Sequence, residues 1–375
     1  MSIYLDNAAS TMVKSSVLKK FNEVAETVYG NPSSLHSEGM KAKRIIWDIQ
    51  DIIADKISCE SDEIFFTSGA TMSNNLLIQG VMRKQPETMF ITSAVEHNDI
   101  MELYDWLPYS KKMVGVEENG RIKIDELIDY LSDCKEHNKP CLVSIQVANS
   151  ETGIIQPIRD ISNIIHSYGG YLHVDATQSI PYYPISMEQL GIDALSMSGQ
   201  KIGGLKGSGL LVVRQSLQSH VAPIIFGEQG LIGGTPSTPL IASLGEAFCD
   251  IDYDISSMQH KRDTLLSYLV DMGGILVGTK ENRLPNNIYI RFPGINGFTI
   301  VGLLNDYGIY AGTGSACSSD SDRPSHVALA YGLTEEEAFE CVRFTLNNNI
   351  TYKEIEYVVK VLKGILKIEG GKIWI

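Results

Sequence analysis

The chain has 375 residues, 43% hydrophobic and 20% charged, enough for a sizeable core and too long for one average domain. A formal net charge of −14 reads as solubility and argues against a general nucleic-acid binder, which needs clustered Lys and Arg. The start lacks a secretory pattern, no run reaches the about 20 apolar residues of a membrane span, and the six cysteines form no C-x-x-C pair, so a cytosolic chain with reduced thiols is expected.

The first clear element follows the turn Gly30-Asn31-Pro32-Ser33-Ser34, which predicts a helix over Ser34–Lys56. A β-rich run, Glu63–Thr67, then leads through Ser68-Gly69-Ala70-Thr71 into a helical pattern over Thr71–Arg83. Backbone N–H groups at such a helix start suit a phosphate, although a plain N-cap uses the same residues. Further strands are expected at Met89–Ser93, Cys141–Val147 and Tyr171–Asp175, with a helix at Ile158–Tyr168. Asp175 closes its strand, where open α/β sheets bind ligands. It can hold a protonated ring nitrogen or simply cap the next helix.

Strands at Ala194–Ser198 and Gly209–Val213 bracket Gly199-Gln200-Lys201 and the glycines after it. Small neighbours leave room for a planar partner, and a lysine of lowered pKa can form a Schiff base; a surface lysine would read the same way. The alternation of strands and helices predicts a mainly parallel sheet covered by helices. One long helical stretch near Leu240–Val270 is expected to link it to a smaller α+β unit from about Ile275, joined by the N-terminal segment. Within that unit, Ala311 to Pro324 is a run of small polar residues around Cys317. It reads as a loop exposing the thiol, which a nucleophile requires, whereas Cys141 and Cys341 sit in apolar runs and read as core.

A helix-start turn, a strand-end Asp175 and Ser198-Gly199-x-Lys201, with the lysine 26 positions after the Asp, stand in the order and spacing of fold type I pyridoxal 5′-phosphate (PLP) enzymes. The chain resembles the cysteine desulfurases (NifS-like, class V aminotransferase superfamily) almost end to end. The likeness includes Leu5-Asp6-Asn7-Ala8-Ala9, Gly30-Asn31-Pro32-Ser33-Ser34-x-His36, Glu96-His97, Gly234-Thr235 and Val342-Arg343-Phe344.

The resemblance implies a large domain over 13–255 with a mainly parallel seven-stranded sheet. A small α+β domain of 1–12 and 256–375 would carry the cysteine loop, 311–324. It implies Lys201 as the covalent anchor of PLP, Asp175 on the pyridine nitrogen, Gln178 on the phenolic oxygen and His97 on the ring face, assisting proton transfer. Ala70, Thr71, Ser198, Gln200 and Ser150 would also contact the cofactor. Thr235 would reach the phosphate of a neighbouring subunit, making a homodimer. Arg343 would clamp the substrate carboxylate with Asn7 nearby, and Cys317 would take the sulfur.

The implied reaction converts L-cysteine to L-alanine and leaves a persulfide on Cys317. An acceptor such as an iron–sulfur scaffold or a tRNA thiolation enzyme would receive it, with no membrane or direct nucleic-acid partner. A selenocysteine lyase, a cysteine sulfinate desulfinase and a weakly active PLP-binding paralogue serving as a partner-binding module are the alternatives. Four positions depart from the family pattern. Met72 stands for an acidic residue, Ser150 for an asparagine and Gln200 for a histidine, while Ile232 lies where an arginine is common before Thr235. Gln200 can still donate a hydrogen bond but cannot become cationic.

Overall fold

Runs apolar on both faces form the centre of the molecule. In the computed structural model, which describes residues 2–227, 230–251, 253–314 and 323–369, seven strands make one sheet. They are β1 (Ile64–Thr67), β2 (Met89–Ser93), β3 (Lys111–Val114), β4 (Cys141–Gln146), β5 (Tyr171–Asp175), β6 (Ala194–Ser198) and β7 (Gly209–Val213). Their spatial order is β1-β7-β6-β5-β4-β2-β3, and only β7 runs against the others. Every residue of β2, β4, β6 and β7 is buried, as expected of strands with helices on both faces. Alternation along each strand feeds two cores: Ile91, Val143 and Val212 pack on one face, Phe90, Leu142 and Leu211 on the other.

A second body of structure surrounds a three-stranded antiparallel sheet, with Asn287–Arg291 between Cys341–Thr345 and Ile275–Leu276. It has its own apolar cluster, including Leu265, Ile288, Phe344 and Leu362. The N-terminal segment is stitched to it. Ile3–Tyr4 pairs in parallel with Ile309–Tyr310, Thr345 N–H donates to Leu5 O at 2.7 Å, and Ala8 N–H donates to Thr345 Oγ1 at 2.9 Å.

Three local expectations are corrected. The helix expected from Ser34 starts at Ser37, because Ser33 and Ser34 remain in the turn and His36 Nδ1 accepts from Gly39 N–H at 3.3 Å as the cap. The expected single helix over Leu240–Val270 is two, Thr238–Cys249 and Ile255–Asp271. Asp254 starts the second by accepting from Ser257 N–H at 2.9 Å, a capping geometry that excludes a continuous helix. Finally, β3 lies at a sheet edge and carries two lysines; it was not among the expected strands. No helix among the described residues is long and apolar enough to cross a membrane.

All strands but β7 end at one edge of the sheet. The segments leaving β1, β2, β4, β5 and β6 there carry Thr71, His97, Ser150, Gln178 and Lys201, respectively.

Candidate active site

Asp175 is the last residue of β5 and is 7% exposed. Thr177 N–H donates to its Oδ1 at 2.9 Å, and Asn74 Nδ2 donates to its Oδ2 at 3.1 Å. Burial pushes its carboxyl above the ordinary aspartate value, and the nearby Asp99 charge adds to this; the Thr177 and Asn74 bonds oppose it. A carboxylate held this way gains from a cationic partner such as a protonated ring nitrogen.

The helix Ala70–Lys84 begins directly beyond β1. Gly69, at φ +147°, makes the entry turn, a conformation that side-chain-bearing residues rarely adopt. Ala70 N–H donates to Ser198 Oγ at 2.7 Å, linking the helix start to the end of β6. Thr71 is exposed at this start, where first-turn N–H groups and the helix dipole favour an anion. A β-carbon on Gly209 of β7 would lie 2.5 Å from Gly69 Cα, so the cradle depends on close backbone approach. Met72 supplies a thioether that accepts from Ser68 N–H at 3.4 Å and Ser68 Oγ–H at 3.3 Å.

Lys201 ends a single 3₁₀ turn after β6. Its Nζ donates to Ala8 O at 2.5 Å and Ala9 O at 2.7 Å, and Gln178 Nε2 donates to Ala8 O at 2.9 Å. The N-terminal segment therefore closes this side of the site. His97 stands at the N-cap position of the helix Asn98–Trp106 and lies 2.8 Å, through Nδ1, from Asp99 Oδ1. Arg343 is 1% exposed; it donates to Asp6 Oδ1 at 2.7 Å and Ser150 O at 3.0 Å, while its Nε has no hydrogen-bond partner among the described residues. Asn149, beside Ser150, points away: its side chain accepts from Glu151 N–H and Thr152 N–H and donates to Val95 O.

A cavity of about 160 Å³ brings together Ala70, Thr71, His97, Ser150, Asp175, Gln178, Ser198, Gln200, Lys201 and Arg343. Asn7 is not among its lining residues and donates to Thr345 O at 2.8 Å. Thr235 lines a different, wider groove of about 890 Å³, with Trp47 and Phe65. Cys317 lies outside the described residues. Cys141 and Cys341 are core residues, as their apolar surroundings suggested. Asp99, Gln146 and the Ala8 and Ala9 segment also line the cavity and were not assigned from sequence. Asp99 carried one signal, a carboxylate two residues after His97. Asn74, whose side chain braces Asp175, carried none; Asp6, which braces Arg343, lay within the likeness at Leu5-Asp6-Asn7-Ala8-Ala9 but was given no role. A buried strand-end acid, an amine across the cavity and an anion-favouring helix start fit PLP: Asp175 would hold its ring nitrogen, Lys201 its aldehyde carbon, and Thr71 and Ser198 its phosphate.

The aminotransferase class-V family model matches residues 3–358. A cysteine desulfurase IscS of Dictyoglomus turgidum (strain DSM 6724 / Z-1310) is 34% identical over 381 residues, spanning 97% of this chain and 94% of that protein. Among solved structures, a NifS-like protein superposes with a TM-score of 0.90 at 31% identity, covering 98% of this chain and all of the other. SspA, solved in complex with cysteine, has a TM-score of 0.81 at 31% identity and covers 93% of this chain and 100% of its own.

Proposed function

Because the chain belongs to the aminotransferase class-V family and matches cysteine desulfurases over nearly its whole length, we propose that it is a PLP-dependent cysteine desulfurase. It converts L-cysteine to L-alanine and takes the sulfur onto Cys317 as a persulfide for delivery to an acceptor. The observation that carries this reading is the meeting of Lys201, Asp175 and the start of the helix Ala70–Lys84 at one cavity. Bound there, PLP supplies an electron sink for bonds broken at the substrate.

The chain's own residues divide the remaining work. Lys201 anchors the cofactor and, once released, takes the substrate Cα proton on Nζ. Asp175 keeps the ring nitrogen charged, Gln178 addresses the ring oxygen, and Ala70, Thr71, Ser198, Gln200 and Ser150 line the rest of the cofactor's bed. Arg343 binds the substrate carboxylate, a task for which a planar guanidinium is suited. The Cys317 thiolate attacks the substrate sulfur. An S–S bond forms and the Cβ–S bond breaks; the electron pair stays with the carbon skeleton, which gains protons and leaves as alanine.

The chain is further assigned as a cytosolic homodimer in which Thr235 completes the site of a second copy. Support comes from Thr235 lying outside its own chain's cavity, beside Trp47 and Phe65 in the wider groove, and from the exposed Phe226 on the same segment. The cofactor domain is taken as 13–255, and 1–12 with 256–375 as the domain bearing the cysteine loop. The acceptor is a sulfur-accepting protein.

Alanine formation by the PLP-loaded protein, given L-cysteine and a reductant, tests the reading with Cys317→Ser alongside. Alanine from the parent and none from the variant is expected. A parent that shows the cofactor's visible absorption band yet makes no alanine overturns it. Turnover of selenocysteine or cysteine sulfinate by both proteins, with none of cysteine, points to the sister lyases.

A further inference from the structure

Two contacts compete for one nitrogen of His97. Its Nδ1 lies 2.8 Å from Asp99 Oδ1 and 3.4 Å from Asp99 N–H. The two bonds exclude each other, because Nδ1 must carry a proton to donate to the carboxylate and lack one to accept from the amide. Length decides between them: 2.8 Å is ordinary for a donor facing an ionised carboxylate, whereas 3.4 Å lies beyond the normal range for a backbone N–H bond.

The carboxylate is built in. The Asp99 side chain is 7% exposed. Its burial would raise its carboxyl, but the bond and charge of His97, with bonds from Thr71 and Asn74, hold it below the ordinary aspartate value. Its second oxygen accepts from Asn74 Nδ2 at 3.1 Å, and that same Nδ2 reaches Asp175 Oδ2 at 3.1 Å. An amide nitrogen has two hydrogens, so one fully buried NH₂ serves both carboxylates.

The surrounding titratable groups leave the Asp99 charge in place. Glu96, next to His97, is pushed well above the usual carboxylate range by burial, and His173 of β5 is pushed by burial down to about 3, which keeps it neutral. Lys201 and Arg343 face His97 across the cavity, and Asp175 lies beyond Asn74.

On the strength of the proposed activity, we infer that Asp99 is a positioning residue that holds His97 at the cavity as the Nδ1–H tautomer, and that Asn74 ties this pair to Asp175. The imidazole that lines the cavity and the carboxylate that keeps the ring nitrogen charged then belong to one hydrogen-bonded unit. A carboxylate on Nδ1 fixes both the tautomer and the orientation of an imidazole, which is the physical basis of the assignment.

Nitrogen NMR of the full chain labelled in histidine, with and without PLP, reads this directly, with His97 assigned through His97→Gln. Wild-type His97 is expected as the Nδ1–H tautomer. In Asp99→Asn its titration midpoint should fall, as loss of an adjacent opposite charge predicts. The PLP-loaded variant should keep the cofactor's absorption band and lose about 100-fold in kcat, with KM little changed. An Nε2–H tautomer in the wild type, the signature of a plain helix cap, overturns the inference even where the variant fails to fold. An unchanged tautomer and midpoint in a folded Asp99→Asn overturns it as well. The expected spectra without alanine formation by the parent would sink the desulfurase reading and leave the pair standing.

Discussion

Arg343 Nη2 donates to Asp6 Oδ1 at 2.7 Å, although the two residues stand 337 positions apart in the chain. The guanidinium is almost fully buried and its partner largely so, so the pair both fixes the arginine and balances its charge. Asp6→Asn should therefore lower stability by about 2 kcal/mol, the scale of a hydrogen bond to a charged group. It should also raise KM for cysteine more than it lowers kcat. Urea midpoints at constant m, with steady-state kinetics on the PLP-loaded variant, check both; a KM unmoved by the substitution would mean that Asp6 does not set the guanidinium's aim.

Asp175 carries a carboxyl raised by burial and by the charge of Asp99. The sign follows from linkage: a group whose folded pKa exceeds its unfolded value stabilises fully below the unfolded value, and that contribution is lost as pH rises through the folded one. Asp175→Asn should thus gain stability relative to the wild type of the PLP-free chain as pH climbs above about 4. The variant should at the same time lose nearly all alanine formation. Denaturation of both proteins between acid and neutral pH would show a constant gap if Asp175 were not raised.

His173 behaves in the opposite sense. It is fully buried between Ser144 Oγ at 2.8 Å and Ser196 Oγ at 2.9 Å, and burial pushes it from 6.5 to about 3. A depressed group stabilises above its unfolded value and loses that contribution as pH falls. Between pH 7 and 5 the wild type should lose about 2 kcal/mol through this residue, at about 1.4 kcal/mol per unit below 6.5. His173→Gln should remove that share of the acid sensitivity, visible as a smaller shift of the urea midpoint.

Gly209→Ala would thrust a β-carbon to 2.5 Å from Gly69 Cα and 2.6 Å from Met197 O. Backbone cannot yield as a side-chain tip does, so a loss of about 1–3 kcal/mol is expected. The displaced atoms begin the Ala70–Lys84 helix, so PLP affinity should fall along with stability. Titration of the chain with PLP, followed by absorbance, would separate the two, and an unchanged affinity would detach Gly209 from the cradle.

Much of this was legible along the chain because its causes are local. The runs Met89–Ser93, Tyr171–Asp175, Ala194–Ser198 and Gly209–Val213 are strands with the expected bounds, since an unbroken β-rich run between turn signals has one stable solution in a covered sheet. Asp175 and Lys201 were visible as candidates because one ends such a strand and the other comes one turn after the next. The break near Asp250 was not, because it has no Gly or Pro, and only the capping bond of Asp254 reveals the second start.

Short-range patterns in the chain carry the strand–helix alternation, the family resemblance and the candidacy of Asp175, Lys201 and the residues at the start of the helix Ala70–Lys84. That Asn74 joins Asp99 to Asp175, that Asp6 holds Arg343, and that Ala8 and Ala9 receive the Lys201 amine emerges only in three dimensions. Those partners lie up to hundreds of residues apart, and a hydrogen bond between them leaves no periodic trace in either segment. It exists because the sheet brings its strand ends to one edge and the N-terminal segment is stitched across them.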